Sequence, residues 1–300
     1  MAKTHKTEFQ IKQVMKYNRD GSPDRQKSRF NNLMRCILQL QERGYGKRWN
    51  IHKIGKKEVN RLVDNWREQN LSHRTIANRM VDIRWLAGKV GKLNGIPSNK
   101  NIGCGLRKNN PNYGVSKAKE IDYRKINELS TREKLVTLLR SEFGLRTEEA
   151  CKFSYSYATK KGNKFIELKG SWCKGGRPRT IEIVTTKQVA LLSMIKKFQT
   201  GNKEISMIPK TKKFKSYYRS YNQARFNQEI AGHGLRHTWA QKRFEMISKG
   251  IKAPHAGGAK YNDLSVEEKK RWDAAAKKVN QEMGHGENRQ DITATYIGSK

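Results

Sequence analysis

Four short segments carry residue types suited to handling an anionic ester. They are Gly144-Leu145-Arg146-Thr147-Glu148-Glu149, then Trp172-Cys173-Lys174-Gly175-Gly176, then His233-Gly234-Leu235-Arg236-His237, and last Met283-Gly284-His285 followed by Tyr296-Ile297-Gly298. A guanidinium grips a phosphate-like group through paired, charge-assisted hydrogen bonds and stabilises charge that builds on it. A tyrosine hydroxyl, with a pKa of about 10, attacks only with a proton acceptor and a positive surround. Histidine and lysine can move the protons. His233 and Arg236 are three residues apart, so one helical face carries both. Each residue also has an ordinary structural role open to it. Arg146 could be a surface arginine at a helix start, and His233 a capping or core histidine. Lys174 stands among Lys169, Arg177 and Arg179, all able to meet phosphates. Tyr296 is one of 11 tyrosines. His237 and Trp239 read as packing or backbone support.

The charge of the whole chain points to a polyanion. The 300 residues hold 64 Lys and Arg against 27 Asp and Glu, a net charge of +37. Residues 1–120 hold 27 basic and 9 acidic residues, so the excess is shared by both halves rather than carried on a tail. Such a surface repels itself and favours a phosphate-bearing partner. Disorder does not fit a chain that is 35% hydrophobic and 9% aromatic with periodic apolar segments. No apolar run approaches the roughly 20 residues of a membrane span, and MAKTHKTEFQ is too polar for a secretory signal. Cys36, Cys104, Cys151 and Cys173 form no C-x-x-C pair and have no histidine at a zinc-finger offset, so no metal site is expected. Reduced thiols in a cytoplasmic, DNA-associated protein are the expectation.

Elements that could position these residues follow from periodicity. Residues 1–21 read as a basic arm. Ser22 caps a helix with Pro23 in its first turn and Phe30, Leu33, Met34, Ile37, Leu38 and Leu40 on its apolar positions. Helices marked by Val59, Leu62, Val63 and Trp66, and by Ile76, Met80, Ile83, Leu86 and Val90, complete an all-helical domain over 22–93. Arg25, Arg29, Arg74 and Arg79 fall mostly off these stripes. Residues 94–120 are rich in Gly, Asn, Pro and Ser and read as a linker. The second domain, 121–300, is expected to hold a helix over 125–143, another after Thr147, and a hairpin of Phe165–Leu168 with Thr180–Val184. Further helices are expected over 186–199, 215–230, 234–249 and 265–283. Residues 250–264 form a polar, glycine-containing insertion without a motif. The fold expected is mainly α with one small β-hairpin.

The four segments, in this order, resemble the tyrosine site-specific recombinases, the integrases of phages and integrative elements. The resemblance covers most of 121–300 by motif; over 1–120 it is architectural, a helical core-binding domain preceding the catalytic one. It implies that Arg146 and Arg236 hold a DNA phosphate, Tyr296 is the nucleophile, His233 the base and Lys174 the acid on a hairpin. It further implies that His285 binds the phosphate or supports the tyrosine, and that Glu149 orients the site. Arg25, Arg29, Arg74, Arg79, Lys169, Arg177, Arg179, Lys212 and Lys213 are the expected DNA contacts. A 3′-phosphotyrosyl intermediate would conserve bond energy, so neither ATP, metal nor other cofactor is expected. Integration or excision of a mobile element would be the use, with protomers assembling as a tetramer on double-stranded DNA. His285 and Tyr296 lie about two residues further apart than the family pattern, with Gly286-Glu287-Asn288 read as a longer loop. The same chemistry would serve a type IB topoisomerase or a telomere resolvase, and a DNA-binding protein with a decayed site would share the charge.

Overall fold

The computed structural model describes residues 6–46, 49–104, 115–286 and 289–298. The rest of the expected arm (1–5), the centre of the expected linker (105–114) and Glu287-Asn288 of the expected loop lie outside the described residues. The chain divides into two units, Met1–Tyr113 and Gly114–Lys300.

The first unit is helical: α1 (Lys6–Tyr17), α2 (Pro23–Glu42), α3 (Lys56–Glu68) and α4 (His73–Lys89). Ser22 and Ser72 accept hydrogen bonds from Arg25 and Thr75 N–H, capping α2 and α4 as their sequences require. Leu33, Ile37, Leu40, Leu62, Trp66, Ile76, Met80 and Ile83 fill one core. Residues 6–17, expected as part of a basic arm, are helical, because Ile11, Val14 and Met15 recur at helical spacing and pack on that core. Ile102, from the expected linker, is buried there too, and its carbonyl accepts from Arg67 Nη2 at 2.9 Å.

The second unit holds nine helices and two strands among the described residues: α5 (Tyr123–Asn127), α6 (Thr131–Glu142), α7 (Thr147–Lys152), α8 (Tyr155–Ala158), β1 (Phe165–Leu168), β2 (Arg179–Glu182), α9 (Thr186–Gly201), α10 (Phe214–Asn227), α11 (Gly234–Ile247), α12 (Val266–Glu282) and α13 (Gln290–Tyr296). The single helix expected over 125–143 is two, because Ser130 and Glu133 form a reciprocal capping box that starts α6 afresh. The strands pair antiparallel, Phe165 opposite Glu182 through Leu168 opposite Arg179. Helix α11 is the hub, packing on α6, α12 and α13; Trp239, Ala240 and Phe244 lie in the core with Leu139, Phe143, Trp272 and Val279. Residues 116–120 run along α11: Thr238 Oγ1 donates to Lys119 O at 2.8 Å and Gln241 Nε2 to Ser116 Oγ at 3.1 Å. No helix among the described residues is long and apolar enough to cross a membrane.

Candidate active site

The turn before α7 presents Arg146. Gly144 has φ +59°, and a Cβ there would overlap the Trp239 indole, so the turn needs glycine for both conformation and space. Arg146 sits at the N-cap of α7 and bonds Glu149 twice: its N–H donates to Oε2 at 2.7 Å and its Nη1 to Oε1 at 3.0 Å. Its Nη2 is 3.3 Å from His285 Nε2. Glu149 is wholly buried and also accepts from Arg179 Nη1 and Nη2 at 2.9 and 2.7 Å. Burial alone would raise the Glu149 pKa. The hydrogen bonds and charge of Arg179, with Arg236 and Arg146 nearby, instead hold it at about 2.

Arg179 corrects an expectation. It was placed among the phosphate contacts, yet its side chain is buried and its donors are used internally. Beyond Glu149, its Nε donates to Glu282 O at 2.6 Å and its Nη1 lies 3.2 Å from Cys173 Sγ. It therefore ties the base of the hairpin tip to the carboxylate under Arg146. Strand alternation carried the signal, since Arg179 and Ile181 face inward while Thr180 and Glu182 face out.

Helix α11 supplies the second guanidinium and two histidines. Arg236 is 1% exposed. Its Nη2 donates to Met283 O at 2.6 Å and its Nη1 to Gly144 O, so two backbone carbonyls fix its plane. Burial, with Arg146 and Arg179 nearby, lowers its pKa to about 10, which leaves it charged at neutral pH. His233 Nε2 is 2.7 Å from the Tyr296 hydroxyl. The His237 ring lies 4.3 Å from the Tyr296 ring at 31°, and the Arg236 guanidinium 5.9 Å from it. Loss of solvation, followed by the Arg236 charge, lowers His233 and His285 to about 4; burial and His233 lower His237 to about 3. All three rings are neutral at pH 7. The start of α11 is crossed by the 117–119 segment, so a Cβ on Gly234 would lie 2.8 Å from Lys119 Cβ and 2.9 Å from Lys117 O. Lys117 also contributes to the lowering at His233 and His237.

Arg146, Glu149, His233, Arg236, His285 and Tyr296 thus converge, though the sequence spreads them over 150 positions. The tyrosine reaches the group from α13, which periodicity alone did not reveal. Lys174 is not joined to the group by any described hydrogen bond or ion pair; it is exposed at the hairpin tip, where Gly175 and Gly176 have φ of +76° and +70°. Sequence reasoning missed how closely His237 stacks on Tyr296. It also missed Gln241, whose Nε2 donates to Tyr296 O at 3.1 Å; their spacing from His233, four and eight residues, puts both on the same helical face.

Of the remaining expected DNA contacts, Arg74, Lys169, Arg177, Lys212 and Lys213 are exposed. Arg25 is partly exposed and paired with the buried Asp82. Arg79 is half-buried over Trp66, 5.3 Å from its ring. Arg29 is a second correction. It is buried, lies 4.1 Å over the Trp85 ring, and donates from Nη1 to Asp20 O at 3.2 Å. Its charge serves the packing of α2 on α4 beside Asp82.

Comparison with known proteins bears on the two units of the fold. Residues 117–242 match the integrase family model, and residues 6–94 match the phage integrase N-terminal model. No curated protein matches by sequence. Among solved structures, a lambda integrase dimer bound to a COC′ core site is 12% identical with a TM-score of 0.63, covering 98% of this chain and 76% of that one. The Tn1549 transposon integrase in complex with circular intermediate DNA is 12% identical with a TM-score of 0.58, covering 99% and 96%. At such identities the likeness is one of fold. The two family models together span well over half of the residues, one on each unit, and the chain belongs to the integrase family of tyrosine site-specific recombinases.

Proposed function

We propose that this chain cuts and rejoins double-stranded DNA at specific sites through a 3′-phosphotyrosyl intermediate, integrating or excising a mobile element. The observation that carries the reading is the Tyr296 hydroxyl, 2.7 Å from His233 Nε2 and beside the buried Arg236. Arg146 and Arg236 grip the non-bridging oxygens of the scissile phosphate and stabilise the charge that develops there. The Tyr296 oxygen attacks phosphorus as His233, neutral at pH 7, takes its proton. The P–O5′ bond breaks as the O–P bond to tyrosine forms, and Lys174 on the hairpin tip protonates the departing 5′-oxygen. Attack by a 5′-hydroxyl reverses the sequence and restores the DNA, so no external energy source enters. Glu149 holds Arg146 in place, and His285 supports it from the other side.

The exposed Arg74, Lys169, Arg177, Lys212 and Lys213, with Arg25 and Arg79, supply phosphate contacts. A DNA core-binding body over 22–93, a catalytic body over 121–300 and assembly of four protomers on paired sites are parts of the same proposal. The test is Tyr296→Phe on a nicked suicide substrate. DNA binding is retained and the covalent adduct disappears; persistence of the adduct rejects Tyr296 as nucleophile.

A further inference from the structure

Residues 250–264, between α11 and α12, play no part in the chemistry above. Their first half closes on the residues that follow Tyr296. Ala253 is wholly buried in the same core as Ile297. Pro254–Ala256 makes one tight turn, ended by Gly257 at φ +83°. The His255 N–H donates to Ile297 O at 2.8 Å. Gly298 follows at φ +119°, and a Cβ there would lie 2.7 Å from Pro254 Cβ and 3.2 Å from His255 N. The turn is itself closed: the Gly258 N–H donates to Ala253 O at 3.0 Å, and the Ser248 hydroxyl donates to Ile251 O at 3.0 Å.

Helix α13 has seven residues. A helix that short is not stable alone in water, so its place depends on what holds its ends and sides. Asn280 Nδ2 donates to Thr293 Oγ1 at 2.9 Å and Gln241 Nε2 to Tyr296 O at 3.1 Å. The His255–Ile297 bond and the close passage of Pro254 over Gly298 secure its end.

We propose that the turn Ala253–Gly258 is a positioning element that clasps Ile297-Gly298 and thereby fixes the Tyr296 hydroxyl against His233 of the same chain. The inference rests on reading Tyr296 as the nucleophile. Its physical basis is that attack needs the reacting atoms held within a few tenths of an ångström, and a misplacement of about 1 Å can cost about a hundredfold in rate. Gly298 is the point of leverage, since any side chain there meets both an unfavourable φ and the Pro254 ring.

The experiment measures single-turnover adduct formation by the full chain on a nicked suicide substrate, beside gel-shift affinity and thermal unfolding. Gly298→Ala is expected to slow adduct formation at saturating DNA at least tenfold with DNA affinity unchanged, at a temperature where thermal unfolding shows the variant fully folded. A second measurement leaves the tail untouched and so does not depend on that variant folding. Tyr296→Phe and Arg146→Ala chains are mixed on one substrate; a clasped tyrosine cannot serve its neighbour, and adduct stays at the level of the two chains assayed apart. Wild-type cleavage rates in Gly298→Ala, or adduct in the mixture well above that level, overturn the clasp. Absence of a tyrosine adduct in the wild-type chain instead overturns the functional reading on which it rests.

Discussion

Glu149→Gln tests the charge balance beneath Arg146 and Arg236, the two arginines proposed to grip the phosphate. Glu149 is wholly buried and accepts four hydrogen bonds from Arg146 and Arg179. Its pKa is about 2 against a usual 4.5. At roughly 1.4 kcal/mol per pKa unit, that difference corresponds to about 3 kcal/mol of stability at pH 7. Removing one partner from a buried ion pair gives a similar figure, about 3–5 kcal/mol. For a unit of this size each kcal/mol moves the melting temperature by about 2–4 °C, so the variant should melt roughly 10 °C lower at pH 7. The sign follows from a folded pKa below the unfolded one. The contribution is complete above about pH 4.5 and is lost as pH falls towards 2. The gap between wild type and variant should therefore shrink to less than half its size at about pH 3. Histidine protonation acts on both proteins and cancels in the difference. Unfolding free energies from circular dichroism at several pH values measure it. Equal stability at pH 7, or a gap that stays constant down to pH 3, would refute the argument that this carboxylate neutralises the cluster.

His233, with a pKa lowered to about 4, is unprotonated throughout neutral and mildly acidic pH; adduct formation should be flat from about pH 8 to 6 and fall only as pH approaches 4, and an acid limb centred near 6.5 would reject it as the base. Gly144→Ala forces a Cβ onto Trp239 at positive φ and displaces the carbonyl that holds Arg236. It should destabilise the unit by about 2–5 kcal/mol in urea unfolding, and wild-type stability counts against the close packing described. Lys174→Ala should slow cleavage of ordinary DNA by about a hundredfold or more, yet cleave at near wild-type rate when sulfur replaces the bridging 5′-oxygen, because a thiolate leaves without a proton. Equal losses on both substrates would remove Lys174 from the role of acid.

Local rules were readable wherever a residue's neighbours in sequence are also its neighbours in space. Ser22 and Ser72 cap the helices that follow them. The β-rich runs around the basic tip do pair, and the apolar stripes of α2, α3 and α4 face one core, except for Leu38 of α2, which is exposed. The residue types and order of the four motifs were equally legible, since a helix turn brings His233 beside Arg236 whatever the rest of the chain does. Charge alone misled at two positions. Arg29 and Arg179 look like any other arginine in a chain of net charge +37, and only burial against Asp82 and Glu149 distinguishes them from phosphate contacts. Helix α13 was missed because it is only seven residues long, so its formation depends on packing rather than on its own pattern; α1 does carry a helical stripe of Ile11, Val14 and Met15, which the reading of residues 1–21 as a basic arm passed over.

The sequence by itself determined which residue types, in which order, are available for the proposed chemistry, because residue type and local spacing are fixed by the covalent order. It also determined that both units are basic. Only the tertiary structure decided which arginines serve the site and which serve its foundation, and that Tyr296 meets His233. Those outcomes depend on long-range packing of α6, α11, α12 and α13 and on desolvation, and neither can be read from residues close together in the chain.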